Sequence, residues 1–455
     1  DQFNYGCRYE QYLLTNDGAL LNEMKQMLRH CADNYNEVAL DYQAAGLSDE
    51  ANAIWQIAIE EDAANPMTYY YMHRYKDAAE ADYSYCFPNR LEDIQALENA
   101  KLKNPSDAMA PYYLGCLFYA ARQYDLAIEN WELSSQKAPM FPLVWRNLAL
   151  ARFNKQGREK EALGYMQNAF KLDTTDARML MELDQLSKRL HHPHAERLEF
   201  LQQYPKLIEK RDDLVLEEIT LLNQVGKYIQ AKRKLDAHIF HPWEGGEGKV
   251  PAQYQICRVE MAKQNIAEGK YKCAVGLLKQ CLTYPHHLGE GKLYGAQEND
   301  FYYLLGVAYD ALGKTDEAKE CWEKAVLGPQ EPAAAMYYND AKPDKIFYQG
   351  MALRKLGRED EAYGRFYRLI NYGKQHVFEH QTMDYFAVSL PDLLIWDDSL
   401  DTKNVIHCKY MLALGYCGMG DMKHALKYLA EVEALDNNHQ GAQQLRSFIE
   451  LRLLP

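Results

Sequence analysis

The chain has 455 residues, 47% of them apolar and 25% charged, with a formal net charge of −14. That charge argues against nucleic acid, because phosphate binding needs clustered Lys and Arg and no long basic stripe is present. No stretch approaches the roughly 20 consecutive apolar residues of a membrane span. In chain order, small residues at helical spacing mark a series of helix crossings. Ala39 and Tyr42 lead through Gly46 to Ala51, Trp55 and Ala58, closing at Pro66. Tyr69 to Pro105 has helical spacing, but its first helix lacks the small residue. Leu114, Gly115 and Phe118 precede Ala127, Trp131 and Pro139; Trp145, Leu148 and Ala149 precede Ala162, Met166 and Ala169. Met179 to Tyr204 is degenerate, interrupted by His191, His192, Pro193 and His194. Leu222, Gly226, Ala231 and Leu235 mark the next pair, and Met261, Ala262, Gly269, Ala274, Leu278 and Cys281 the one after. Leu305, Gly306 and Tyr309 with Ala318, Trp322 and Pro329 repeat the 111–139 segment almost letter for letter. Gly350, Leu353, Gly357, Ala362 and Phe366 follow, then Leu412, Ala413, Tyr416, Gly420, Ala425 and Leu429. An amphipathic stretch from Gly441 to Leu454 closes the series.

The two near-identical segments resemble the 34-residue tetratricopeptide repeat (TPR). Gly115 and Ala127 are small where two antiparallel helices cross, and Leu114, Phe118 and Trp131 fill the space around the crossing. One pair cannot bury its apolar face alone, so copies stack. The expected fold is all-α, a TPR-type α-solenoid running as one right-handed superhelix of about eight or nine antiparallel pairs over 1–455. Within it, 1–106 holds divergent repeats, 107–237 repeats, 238–298 a repeat with long inserted loops and 299–437 repeats with insertions. Residues 438–455 form a capping helix that hides the end of the stack.

Ten scattered cysteines with no CxxC pair fit a reduced, cytoplasmic setting. Asp1 opens the chain without an initiator Met, as a piece of a longer protein does. Most connections are short, but Phe240–Pro251, Tyr284–Glu298, Leu327–Lys345 and Leu390–Asn404 are long, and insertions in solenoids are often binding loops. His241 to Lys249, Tyr338-Asn339-Asp340 and Asp384 to Leu393 resemble the C-terminal TPR half of a mostly bacterial family known only as a domain of unknown function. The likeness extends to Asn4–Glu10. It implies a companion N-terminal β-sandwich similar to galactose mutarotase and a link to carbohydrate use. No catalytic residue carries over from it.

Candidate chemistry is sparse. His376, Glu379 and His380 match the H-x-x-E-H spacing of inverted zinc proteases, but a third ligand is missing and a plain helix is the better reading. His191, His192 and His194 can chelate a metal, yet Pro193 favours a surface turn. Gly246-Glu247-Gly248-Lys249 recurs as Gly289-Glu290-Gly291-Lys292, and neither copy has phosphate-loop spacing. No metal, cofactor or catalytic group is expected. Two surfaces remain. Stacking brings long loops to one rim, where Trp243, Glu244, Glu247, Lys249, Glu290, Lys292, Tyr338, Asn339 and Asp340 make a partner-facing surface or, alternatively, structural turns. The concave groove takes Tyr112, Tyr119, Arg146, Phe153, Tyr303, Phe347 and Tyr410 from the first helices, Tyr and Arg being good anchors. Tyr112 and Cys116 stand where chaperone-tail clamps need Lys and Asn. The function expected is a protein-interaction scaffold that docks its own N-terminal sandwich domain and is not an enzyme alone. The alternative is a loop-contributing part of a carbohydrate-active enzyme.

Overall fold

The computed structural model describes residues 4–334, 340, 342–382 and 395–453. Among these every regular element is helical, and they group into two compact units, Asp1–Asp173 and Thr174–Pro455. The motif residues at 338–339 and 384–393 lie outside the described residues.

Unit 1 begins with a hairpin of α1 (Tyr5–Thr15) and α2 (Gly18–Leu28), a pair the small-residue pattern does not mark. Its polar starts are nevertheless conventional: the Asn4 and Asp17 side chains accept the Cys7 and Ala19 amides and satisfy otherwise orphaned donors. α3 (Ala32–Ala44) and α4 (Ser48–Glu60) form the Ala39–Trp55 pair. The region without a small crossing residue breaks into α5 (Pro66–Tyr71), α6 (Tyr75–Glu80) and α7 (Leu91–Lys103). α8 (Met109–Ala120) with α9 (Tyr124–Lys137) and α10 (Pro142–Gln156) with α11 (Glu159–Leu172) are full pairs.

Unit 2 opens with α12 (Ala177–Arg189), α13 (His194–Leu201) and the single turn α14 (Pro205–Ile208). Five pairs follow: α15 (Asp212–Gln224) and α16 (Tyr228–Ala237), α17 (Lys249–Ala267) and α18 (Tyr271–Cys281), α19 (Asn299–Ala311) and α20 (Thr315–Ala325), α21 (Pro343–Lys355) and α22 (Glu359–His376), α23 (Leu400–Gly418) and α24 (Met422–Leu435). α25 (Gln440–Glu450) comes last. Two long connections are shorter than expected, because α17 starts at Lys249 and α21 at Pro343. Pro251 and Pro343 sit in the first turn of their helices, where a missing N–H costs nothing and the fixed φ is already helical.

The crossing rule is visible atom by atom. A Cβ on Gly115 would meet the Trp131 indole closer than 3.0 Å, one on Gly306 the Trp322 indole, and one on Gly350 the Phe366 ring. Each bulky ring of a second helix therefore occupies the space its first helix leaves empty. The turn inside the α19–α20 pair needs a left-handed residue and has Gly313 at φ 75. The matching place between α8 and α9 holds Arg122 at φ 60, a conformation that L side chains adopt at some cost.

Candidate functional site

The place of α25 matters most. It packs on α23 and α24 of the last pair and also on α17, and the face shared by the first helices α17, α19, α21 and α23 is called the inner face below. Its apolar stripe is Ala442, Leu445 and Phe448, all buried, at the three-residue spacing of one helix face. The Phe448 ring lies 6.3 Å from Tyr303, 6.1 Å from Phe347 and 5.9 Å from Tyr348. Gly441 permits close approach to Tyr410, whose ring a Cβ there would strike.

This geometry corrects three groove expectations. Tyr303, Phe347 and Tyr410 each stand three residues before a small crossing residue and face inward. They are only 0%, 1% and 5% exposed, because α25 covers them. The matching residues of unit 1, Tyr112 and Arg146, are half-buried, as are Tyr119 and Phe153. Tyr119 turns to its own pair, packing on Tyr124 and Trp131. Tyr112 packs edge-on against Phe141, which lines a cleft of about 1150 Å³ with Arg74, Tyr83, Lys103 and Met109. Burial pushes the Cys116 thiol beside Tyr112 up to about 11, so it stays neutral there.

Polar contacts fix α25 along its length. Gln440 exchanges hydrogen bonds with Gln253 at 2.7 and 3.0 Å. Lys263 donates to the Gln444 carbonyl at 2.9 Å, and Ser447 donates to Glu260 at 2.7 Å. Lys263 and Glu260 also pair with each other at 2.5 Å, both buried. The turn before α25 is held by α12, α13 and α15. Asn438 accepts from Arg197 at 3.1 Å and donates to the Lys188 carbonyl, and its own carbonyl accepts from Gln224. Arg197 in turn lies between Asp184 at 2.7 Å and Glu217 at 2.6 Å. His439 caps α25 by accepting the Ala442 amide at 2.9 Å and packs at a tilt against Tyr410, ring centres 4.6 Å apart. Burial lowers the His439 pKa, so it sits there neutral.

The His191–His194 stretch is a turn, and its purpose is structural. His191 and His194 contact Asn437 and Asn438 at 3.3 Å each. Nor do His376 and His380 share a helix face: α22 stops at His376, which pairs with Glu379, while His380 pairs with Asp401. No cluster of three metal-ligating residues exists among the described residues.

At the rim, the two Gly-Glu-Gly-Lys loops meet. Glu290 accepts the Gly248 amide at 2.8 Å, and Phe240 donates to the His287 carbonyl at 2.8 Å. Gly289, at φ 76, is pressed so near the Phe240 carbonyl that a side chain would clash. The Trp243 indole lies against Gly246 of its own loop. Together Trp243, Glu244, Glu247 and Glu290 line a cleft of about 300 Å³. Burial first, and the Glu247 charge with it, raise the Glu290 pKa above the ordinary carboxylate range. Lys292 turns away, bonding Leu282 and Glu298 of its own connection, and Lys249 begins α17. Of the candidate residues Tyr338, Asn339 and Asp340 in the third loop only Asp340 is described, and it lies near His407. Gln253, Glu260, Lys263 and Asn438 were not anticipated; the signal for the first three was a run of polar residues on the buried face of a core helix.

Residues 300–327, which hold nearly all of α19 and the whole of α20, match the tetratricopeptide-repeat family. Among solved structures the chain is similar to YrrB, a TPR protein with an unusual peptide-binding site, at 14% identity and a TM-score of 0.29, over 51% of this chain and 92% of that one. A tetratricopeptide repeat protein from Parabacteroides merdae is similar at 15% identity and a TM-score of 0.31, over 63% of this chain and 97% of that one. The structure of Naa15/Naa10 bound to HypK-THB has a chain similar at 14% identity and a TM-score of 0.28, over 98% of this chain and 79% of that one. Among the described residues every regular element is helical, and residues 300–327 form a TPR-type helix pair.

Proposed function

We propose that the chain is a protein-interaction scaffold whose inner helix faces and loop rim take segments of a partner protein. One observation carries the reading: the inner face of unit 2 holds a peptide helix, α25, seated on the first helices through an aromatic anchor and side-chain hydrogen bonds. This is helix-in-groove recognition performed within one chain. In unit 1 the corresponding Tyr112, Arg146 and Phe153 are half-buried, and Tyr112 packs on Phe141 at the edge of a cleft lined by Tyr75, Tyr83 and charges of both signs, which suits a partner segment carrying apolar and polar groups. No helix among the described residues is long and apolar enough to cross a membrane.

The partner we favour is an N-terminal β-sandwich domain of the kind the resembling bacterial family carries, met in the cytoplasm. The rim around Trp243 and Glu290 has the mixed, partly polar character of interdomain surfaces. Titrating such a domain against this chain by calorimetry tests the idea. Arg146→Glu in unit 1, or Trp243→Ala with Glu290→Lys at the rim, should weaken docking at least about tenfold, or 1.4 kcal/mol. Helical melting should hardly change. Docking unaffected by both variants, or no docking at all, removes the scaffold reading.

One observation favours a second reading. The small cleft sets an indole beside Glu244, Glu247 and Glu290, a combination that also suits a sugar. Oligosaccharide binding that Trp243→Ala abolishes would favour the carbohydrate-associated role over the scaffold.

A further inference from the structure

The floor beneath α25 is not the floor of an ordinary core. Gln253, Glu260 and Lys263 of α17 and Asn223 of α15 are all buried, although a groove meant only to pack an apolar stripe needs none of them. Nor does α25 use up what they offer. Asn223 Oδ1, Gln224 Oε1 and the Tyr303 hydroxyl are buried without a hydrogen-bond partner among the described residues. Buried polar atoms without a partner are costly, so these three are places where a better-matched occupant gains hydrogen bonds. The occupant is also slight. α25 has 11 residues, a length at which a lone helix is marginal in water. It is joined to α24 by Asp436–His439 alone, and that link is tied down by side chains, Arg197 and His194 among them.

We propose that α25 is a displaceable ligand of the unit 2 inner face, keeping the place of a partner helix. That partner is an amphipathic helix with a small residue, a branched aliphatic residue and an aromatic residue at three-residue spacing, as in Ala442, Leu445 and Phe448. Between them it carries side-chain N–H or O–H groups that reach Asn223, Gln224 and Tyr303. The proposal rests on the scaffold reading above and adds to it a competition. Tethered beside its groove, α25 acts at millimolar effective concentration, so only a partner with better-matched donors wins the site.

The test uses the full chain and a fluorescent peptide copying residues 437–452. Wild-type chain should bind the peptide weakly. Phe448→Ala in the chain loosens α25 but leaves the groove intact, and should tighten peptide binding at least about tenfold. The same substitution placed in the peptide should abolish binding. In the wild-type chain, amides of 442–450 should exchange with solvent by local opening, faster than those of α23. A folded Phe448→Ala chain that binds no more tightly than wild type overturns the proposal. If that variant fails to fold, exchange in the wild type decides: α25 amides protected as strongly as those of α23 overturn it. The sandwich-domain titration separates the two ideas, since docking that persists while α25 refuses exchange leaves the scaffold standing and removes only the competition.

Discussion

Units 1 and 2 are built from the same helix pair yet end with opposite inner faces. Tyr112 of α8 and Tyr303 of α19 occupy the same place, three residues before a glycine that meets a tryptophan. One is half-buried beside an open cleft and the other is sealed under Phe448. Nothing within either repeat makes that difference. It comes from a segment that returns to cover one face, so exposure of a groove residue in a solenoid is a property of the whole unit.

Buried charge offers the hardest test of the contrast. Arg197 and Asp184 of unit 2 are each 2% exposed at the side chain, so Arg197→Ala strands the Asp184 carboxylate, while Glu217 keeps Lys188, and should cost about 3–5 kcal/mol. Arg152 of unit 1 is also buried, but its partners Glu132 and Glu161 reach solvent, so Arg152→Ala should cost clearly less. Chemical unfolding followed by hydrogen exchange in each unit checks both; equal losses would mean that the two units hold charge alike.

The helix pairs themselves should respond equally. Gly115→Ala and Gly306→Ala each force a Cβ into an indole, costing about 1–3 kcal/mol as overpacking does. Each should loosen amides only in its own pair and the neighbouring ones. An even loosening of the whole chain would contradict nearest-neighbour stacking.

Acid should separate the units next. Burial lowers the pKa of His439, which faces Asp436, His407, Asp344 and Tyr410. Burial and then Arg197 lower that of His194, near Lys188 and Glu217, and burial lowers that of His407, near Asp340. All three are depressed, so the unfolded chain takes protons first. Their contribution is complete above the unfolded value of about 6.5 and fades as pH falls through it. Unfolding at pH 7.5 and 5.5, with exchange read at 440–450, should show α25 loosening in acid. Stability of unit 2 unchanged over that interval would remove these histidines from the account. The smallest effect belongs to unit 1: Arg122→Gly relieves a left-handed backbone and should raise its stability by about 0.5–1 kcal/mol in a melt.

What the sequence shows plainly is whatever lies within one pair. Gly306 and Trp322 announce α19 and α20 because contact and spacing are both local. The hairpin of α1 and α2 has no small-residue crossing to announce it, although Asn4 and Asp17 are caps plain in the sequence. The repeated Gly-Glu-Gly-Lys motif hints that its two loops lie near each other, and Glu290 does accept the Gly248 amide, whereas Lys292 pairs within its own connection. The stripe of α25 was readable; its destination was not, since Tyr303 and Phe347 look the same whether a groove is empty or filled.

The order in which the chain is made gives α25 a further consequence. Arg197 and Asn438 are separated by 241 residues, Gln253 and Gln440 by 187, and Lys263 and Gln444 by 181. Unit 1 and the floor helices α17, α19 and α21 leave the ribosome before α25 exists, and at about 5–20 residues per second that interval lasts several seconds, whereas α23 ends at Gly418 and precedes α25 by little. During it the floor of unit 2 is wet, its lysine, glutamate and glutamines hydrated and its aromatic residues uncovered. An early-arriving helix meets no competitor then, so newly made chains are the ones that should capture a partner most readily.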